Sequence, residues 1–227
     1  MQGSPADNIF RRSWTVLTAN PILFALAVII GIIALIVPRV YSPFVGMLGI
    51  IYTIGIGAAA WEGKSVTFAD GGQALSKNGG AALIWTFASF IVYAVPIGFL
   101  MRFLPSFNNV WTSIAAAVFF ISGVFYICFY TYGMSAIIVH KRTIFGAFRE
   151  SVKILSRSIR TTSVVAAGYL VVTGVYVVLS MLPFIGTPLA SLLLQIGNVY
   201  LTLVLVGEFI TKADGQSKAA DQPAEPS

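Results

Sequence analysis

The chain has 227 residues, of which 57% are hydrophobic and only 10% charged, and it carries a net charge of +6. Soluble domains carry about 25% charged residues, so this composition excludes a water-soluble enzyme and points to an integral membrane protein. The basic excess then reads as membrane topology and attraction to anionic lipid, and nucleic-acid binding is not expected.

One nine-residue phrase recurs three times, each copy ahead of a pair of apolar stretches: Phe10 to Thr18, Phe68 to Ser76 and Phe148 to Ser156. Each copy has Phe first, a small residue three on (Ser13, Gly71, Ser151), an apolar residue six on (Val16, Ala74, Ile154), Leu seven on, and Thr or Ser eight on. Pro38 and Pro96 follow their Phe by 28 residues and Pro183 follows by 35. Such self-similarity indicates a threefold repeat. The expected fold is all-α: a polytopic membrane bundle of six transmembrane helices, built as three repeats of a short cytoplasmic surface helix plus a helical hairpin.

The first unit covers residues 7–63. Phe10, Trp14 and Leu17 share a helix face beside Arg11 and Arg12, which predicts an amphipathic helix at the membrane surface. Spans follow at 22–37 and 44–60, and Pro38 closes the first of them. No small-x-small cleavage site follows the first span, so Arg11-Arg12 is not read as part of an export signal. Gly46, Gly49, Thr53, Gly57 and Ala60 form a small-residue seam on the second span, read as helix packing.

The second unit covers residues 64–142, with spans at 81–95 and 114–138. Thr67 and Asp70 are spaced as a capping box, but Gly71, Gly72, Gly79 and Gly80 weaken the helix they would start, which leaves the second phrase as a frayed turn. Phe119, Phe120, Phe125, Tyr126, Phe129, Tyr130 and Tyr132 surround the fourth span and read as lipid-facing and interfacial aromatics. His140 reads as a solvated residue at the loop edge.

In the third unit, residues 143–212, Phe145, Phe148, Val152, Leu155 and Ile159 gather on one helix face and Arg149, Lys153, Arg157 and Arg160 on its neighbour. That predicts an apolar side sunk in the acyl boundary, with basic side chains reaching lipid phosphates. Spans at 164–182 and 189–210 follow, and the polar tail at 213–227 is expected to be disordered.

Twelve of the 14 Lys and Arg residues fall on the side of the surface helices and termini, leaving Arg39 and Arg102 opposite. Basic residues are retained in the cytoplasm, so both termini are expected there, in the plasma membrane. Arg11, Arg12, Arg149, Lys153, Arg157 and Arg160 are the expected lipid-headgroup contacts.

Span six carries a polar seam, Ser191, Gln195, Asn198 and Thr202, spaced four, three and four. Amides at membrane depth need partners. They serve either interhelical hydrogen bonding or the lining of a substrate path. Glu62 and Glu208 stand at corresponding cytoplasmic ends of spans two and six; Glu208 is the candidate functional acid, because an acid within a membrane helix is functional by default. Cys128 is the only cysteine, and no metal site, cofactor or catalytic set is expected. Gly133-Met134-Ser135-Ala136 is close to a rhomboid-protease motif but lacks a histidine base on span six, and the prolines lack the acidic partners of the mitochondrial-carrier motif.

Ile9-Phe-Arg-Arg-Ser-Trp14 with Asn20-Pro21, and Ala147-Phe-Arg-Glu-Ser151, resemble phrases of bacterial six-span membrane proteins, including the membrane domain fused to some glycerophosphodiester phosphodiesterases. The resemblance covers nearly the whole chain and implies a cytoplasmic-membrane module without the hydrolase. Two functions follow as expectations. The first is a non-enzymatic subunit, scaffold or assembly factor with a membrane-protein partner. The alternative is a transporter or permease for a small neutral or lipid-like substrate, for which a polar cavity reaching Gln195 and Asn198 is the discriminating feature.

Overall fold

A computed structural model describes residues 5–38, 41–103, 109–182 and 185–220. The regular structure among them is helical: α1 (Pro5–Ala19), α2 (Pro21–Ile36), α3 (Ser42–Trp61), α4 (Phe68–Phe103), α5 (Asn109–Ile138), α6 (Ile144–Arg157), α7 (Ile159–Ser180) and α8 (Gly186–Ala220). Among the described residues, four stretches are long and apolar enough to cross a membrane: Ser42–Trp61, Ile121–Ile138, Ile159–Ser180 and Gly186–Lys212. A fifth is added if Asn8–Ala19 and Pro21–Ile36, bent by 95° at their junction, count as one broken span.

That bend has a local cause. Pro21 supplies no backbone N–H and disfavours helical geometry at Asn20, whose φ is −131°. The Asn20 side chain donates to the Val16 carbonyl at 3.1 Å, closing α1 before α2 begins.

The helices pack in a ring. α3, α5 and α8 touch one another at the centre; α2 packs against α3 and α8, α4 against α3 and α5, and α7 against α5 and α8. Missing side chains permit the closest approaches. A Cβ on Gly57 would collide with Leu203 of α8, and one on Gly133 would enter the Trp85 ring. Trp85 is buried there, donating from Nε1 to the Tyr130 carbonyl at 3.0 Å.

Several sequence expectations are corrected. The second phrase is neither a frayed turn nor a separate surface helix, because α4 runs unbroken from Phe68 through all four glycines. Asp70 accepts from the Thr67 backbone N–H at 2.7 Å and from its hydroxyl at 2.9 Å, fixing the helix start. Tertiary packing offsets the low helix propensity, since Gly71 lies against the Tyr52 ring and Gly55 against the α4 backbone. Pro96 lies within α4, which continues to Phe103, where the pattern placed a helix end. α8 continues to Ala220, so residues 213–220 are helical where disorder was expected. Pro183, residues 104–108 and residues 221–227 lie outside the described residues.

The span-four aromatics face inward more than lipid contact requires. Tyr130 and Tyr132 are buried, with Tyr130 Oη 2.9 Å from the Thr86 hydroxyl and Tyr132 Oη 3.2 Å from the Thr162 hydroxyl. Tyr126 Oη lies 3.2 Å from Ser89, so α5 is joined to both α4 and α7 through its tyrosines. Phe129 packs on Trp85 and Phe148, and the side chains of Phe119 and Phe120 are outside the described residues. For these three tyrosines a neighbouring helix supplies the hydroxyl's partner. His140 is half-buried instead of solvated: Nδ1 lies 2.9 Å from Glu150 Oε1, and its ring lies 4.8 Å from that of Phe209. Arg142 Nε donates to the other Glu150 oxygen at 3.1 Å.

The three phrases share one burial pattern. Ser13, Gly71 and Ser151 are buried, as are Val16, Ala74 and Ile154, while the Leu that follows each is half-buried. The repeated positions are therefore the side docked on the bundle. In α6 the buried face is Ala147, Ser151 and Ile154, while Phe145, Phe148 and Val152 are exposed. Thr143 caps α6 by accepting from the Gly146 N–H at 3.3 Å. The helix ends at Arg157, so Ile159 and Arg160 belong to α7 and not to the surface helix.

Arg12 is used within the protein. Its guanidinium donates to the Trp61 carbonyl at 2.6 Å, at the carbonyl-rich end of α3, and lies 4.3 Å from the centre of the Trp61 ring. Arg12→Ala is expected to cost about 1–2 kcal/mol from the lost charged hydrogen bond and cation–π contact. Thermal unfolding in detergent checks this, since an Arg12 that served lipid alone would leave the midpoint unchanged.

Candidate functional site

In the half of the bundle away from α1 and α6, the helices leave a partly open cavity of about 570 Å³. All six long bundle helices line it, namely α2, α3, α4, α5, α7 and α8. It runs along α3 from Ser42 to Thr53, a rise of about 16 Å at ~1.5 Å per residue. Its volume falls within the roughly 300–1,000 Å³ of small-molecule pockets.

The opposite half is closed around α8, with a separate surface cleft of about 270 Å³ beside Glu62, Asp70, Lys77 and Lys141. Ile54, Tyr132, Met134, Leu203, Leu205 and Phe209 are fully buried there, and α8 is buried at every position from Leu201 to Phe209. The central trio thus packs tightly at one end and separates at the other. Glycines make the difference: Gly57 accepts Leu203, whereas Gly46 has open space where its Cβ would stand.

Three of the four seam residues meet at this cavity. Gln195, Asn198 and Thr202 line it, one helical turn apart, whereas Ser191 does not. Asn198 Nδ2 donates to Gln195 Oε1 at 3.4 Å, a long hydrogen bond. Among the described residues, Gln195 Nε2 and Asn198 Oδ1 make no hydrogen bond. Gly31 of α2 makes room for this pair, because a Cβ there would collide with the Gln195 carboxamide. Thr202 lines the cavity beside Tyr169 of α7, and Thr53 Oγ1 donates to the Gly49 carbonyl at 2.8 Å.

The facing wall is aromatic. Tyr93 and Tyr126 stack with centroids 4.4 Å apart and planes 15° from parallel. Among the described residues no Asp, Glu, Lys, Arg or His lines the cavity. The described lining is neutral: two amides, several hydroxyls, flat rings and small apolar residues.

The remaining candidates lie elsewhere. Glu208 is buried at 2% exposure in the closed half, with Tyr132 as an electrostatic neighbour, and does not line the cavity. Glu62 pairs with Lys64 at the end of α3, which raises the lysine's pKa. Arg11, Arg149, Lys153, Arg157 and Arg160 are exposed, as headgroup contact requires. Among the described residues no group of three metal-ligating side chains exists. Ser135 donates to the Thr131 carbonyl at 2.8 Å, while His140 is engaged by Glu150, so the two do not form a nucleophile and base.

Sequence reasoning missed Gly31, Tyr93 and Tyr169 as cavity residues. Tyrosines in the middle of apolar spans were the available sign, because each hydroxyl there needs a partner or a wet surface. No protein-family model, curated protein or solved structure matches the chain.

Proposed function

We propose that this is a non-enzymatic, six-span protein of the plasma membrane that receives a small neutral or lipid-like molecule in its central cavity and carries it through the bilayer. The observation that carries the reading is the cavity of about 570 Å³ reached by the Gln195 and Asn198 amides. A dry, closed bundle would have favoured the scaffold reading, whereas here two amides with unused hydrogen-bonding groups face open space. Buried amides that served only as helix glue would be saturated by protein.

The six spans are α2, α3, α4, α5, α7 and α8. α4 has no charged residue between Lys77 and Arg102, and α2, at 16 residues, is short of the roughly 20 needed, so the bilayer thins beside it. A threefold repeat is supported by the ring packing and by the shared burial of the three phrases. Cytoplasmic termini are supported by the twelve-to-two division of basic residues, and contact with anionic lipid by the exposed basic and apolar sides of α6. The resemblance to bacterial six-span membrane domains supports the same placement.

Closure at one end and opening at the other is the arrangement expected of one state in an alternating-access cycle, with the site between repeats. The test is flux in liposomes, assayed with a panel of neutral solutes. Gln195→Leu with Asn198→Leu should reduce flux at least about tenfold, the loss of one net hydrogen bond of ~1.4 kcal/mol, without lowering expression. Absence of flux from the native protein, together with a stoichiometric membrane partner co-purifying in mild detergent, would overturn the reading in favour of a scaffold.

A further inference from the structure

The lining of the cavity restricts what ligand it can take. Among the described residues no carboxylate, lysine, arginine or histidine lines the wall, so none of them offsets the desolvation of a charged ligand, and a neutral ligand fits this lining better. Within that neutral space the polar groups have a definite arrangement. Gln195 and Asn198 share one hydrogen bond at 3.4 Å. Whichever way the two carboxamides are turned, the shared bond leaves one amide presenting N–H and the other presenting C=O, side by side one turn apart on α8. A neighbouring donor and acceptor are matched by a group that itself carries a neighbouring acceptor and donor, as a lactam or cyclic imide does.

The walls favour a flat body for the same ligand. The stacked pair Tyr93 and Tyr126 lines the same space. Gly46 of α3 lines it too, with nothing within 4 Å of where its side chain would stand. A flat ring entering there meets aromatic surface and has room beside Gly46. A long acyl chain would gain contact with the wall but would leave the amide pair unanswered, at a cost in a low-dielectric site.

We propose that the cavity selects flat, neutral rings bearing a lactam or imide edge, which the Gln195 and Asn198 carboxamides read as a donor and acceptor pair. This rests on the cavity being the ligand site, and the probes separate the two claims. Uracil carries the edge, 1,3-dimethyluracil has the same ring with both N–H groups removed, and monoolein is neutral and lipid-like with no ring.

Binding to the full-length protein in detergent is measured by equilibrium dialysis, with Gly46→Phe as the variant that fills the cavity. Uracil should bind at least tenfold more tightly than 1,3-dimethyluracil. Gln195→Leu with Asn198→Leu should abolish that preference, and Gly46→Phe should abolish binding. Equal affinity for the two pyrimidines, or a preference that survives the double variant, overturns the proposal. If monoolein alone binds and Gly46→Phe removes it, the selectivity claim fails while the carrier reading stands. If no probe binds in a way that Gly46→Phe affects, both fail.

Discussion

Trp85→Ala is expected to lower the stability of the bundle by about 3–5 kcal/mol, the usual range for removing a fully buried large aromatic side chain. The ring is 1% exposed, fills the place left by Gly133, packs 5.4 Å from Phe129 and ties α4 to α5 through the Tyr130 carbonyl. Gly133→Ala should destabilise from the opposite direction, by about 1–3 kcal/mol, because its Cβ would enter the ring. The two changes address one volume, so they should not add: Gly133→Leu should be tolerated better in the Trp85→Ala background than in the native protein. Thermal unfolding in a single detergent measures the native protein and all four variants. A loss under about 1 kcal/mol for Trp85→Ala, or strict additivity of the pair, would mean that α4 and α5 are not joined at this point.

Gly31→Ala is expected to cut ligand affinity by about tenfold, a net hydrogen bond's worth, with little change in unfolding. A methyl group on α2 occupies the space of the Gln195 carboxamide and turns it away from its Asn198 partner. Gly174→Ala on α7 is the control, since its Cβ meets nothing within 4 Å and it does not line the cavity. Binding or flux measured beside the unfolding midpoint separates the two effects. Unaltered affinity in Gly31→Ala, with the protein folded, would remove the amide pair from recognition.

Much of this arrangement was legible in the residues. The polar seam on α8 pointed to one helix face because amides at four- and three-residue steps cannot do otherwise, and three of its four members do line one cavity. The fourth, Ser191, shares the spacing and not the site. Which face of α3 its glycines served was not legible. Gly46 and Gly57 look alike in sequence, yet one borders open space and the other accepts Leu203; that distinction exists only once α8 is in place. The same limit explains α4. Glycine propensity argued for a frayed start at Gly71 and Gly72, and proline chemistry argued for an end at Pro96, but the helix runs through both. Packing of Gly71 on Tyr52 and of Gly55 on the α4 backbone is a tertiary effect that local preference does not contain.

The repeated phrase changes meaning in the same way. Its Phe and basic residues suggested a membrane-facing side, and in α6 those side chains are indeed exposed. The positions that recur most faithfully, the small residue and the apolar residue three beyond it, are the buried ones. The shared positions of the phrase are the ones by which each helix docks on the bundle. Arg12, grouped by sequence with the lipid-facing cations, instead holds the end of α3.

Thiol labelling of intact cells tests most directly whether the central cavity opens on the side away from α1 and α6 and α8 is closed toward them. Cys128, fully buried, is first replaced by Ala. Asn198→Cys should then react with a membrane-impermeant maleimide added outside. Leu205→Cys, about two helical turns further along α8 and fully buried in the closed half, should not. An Asn198→Cys protein that is folded yet unreactive from outside, or a Leu205→Cys protein that reacts as fast, would contradict a cavity open on that side.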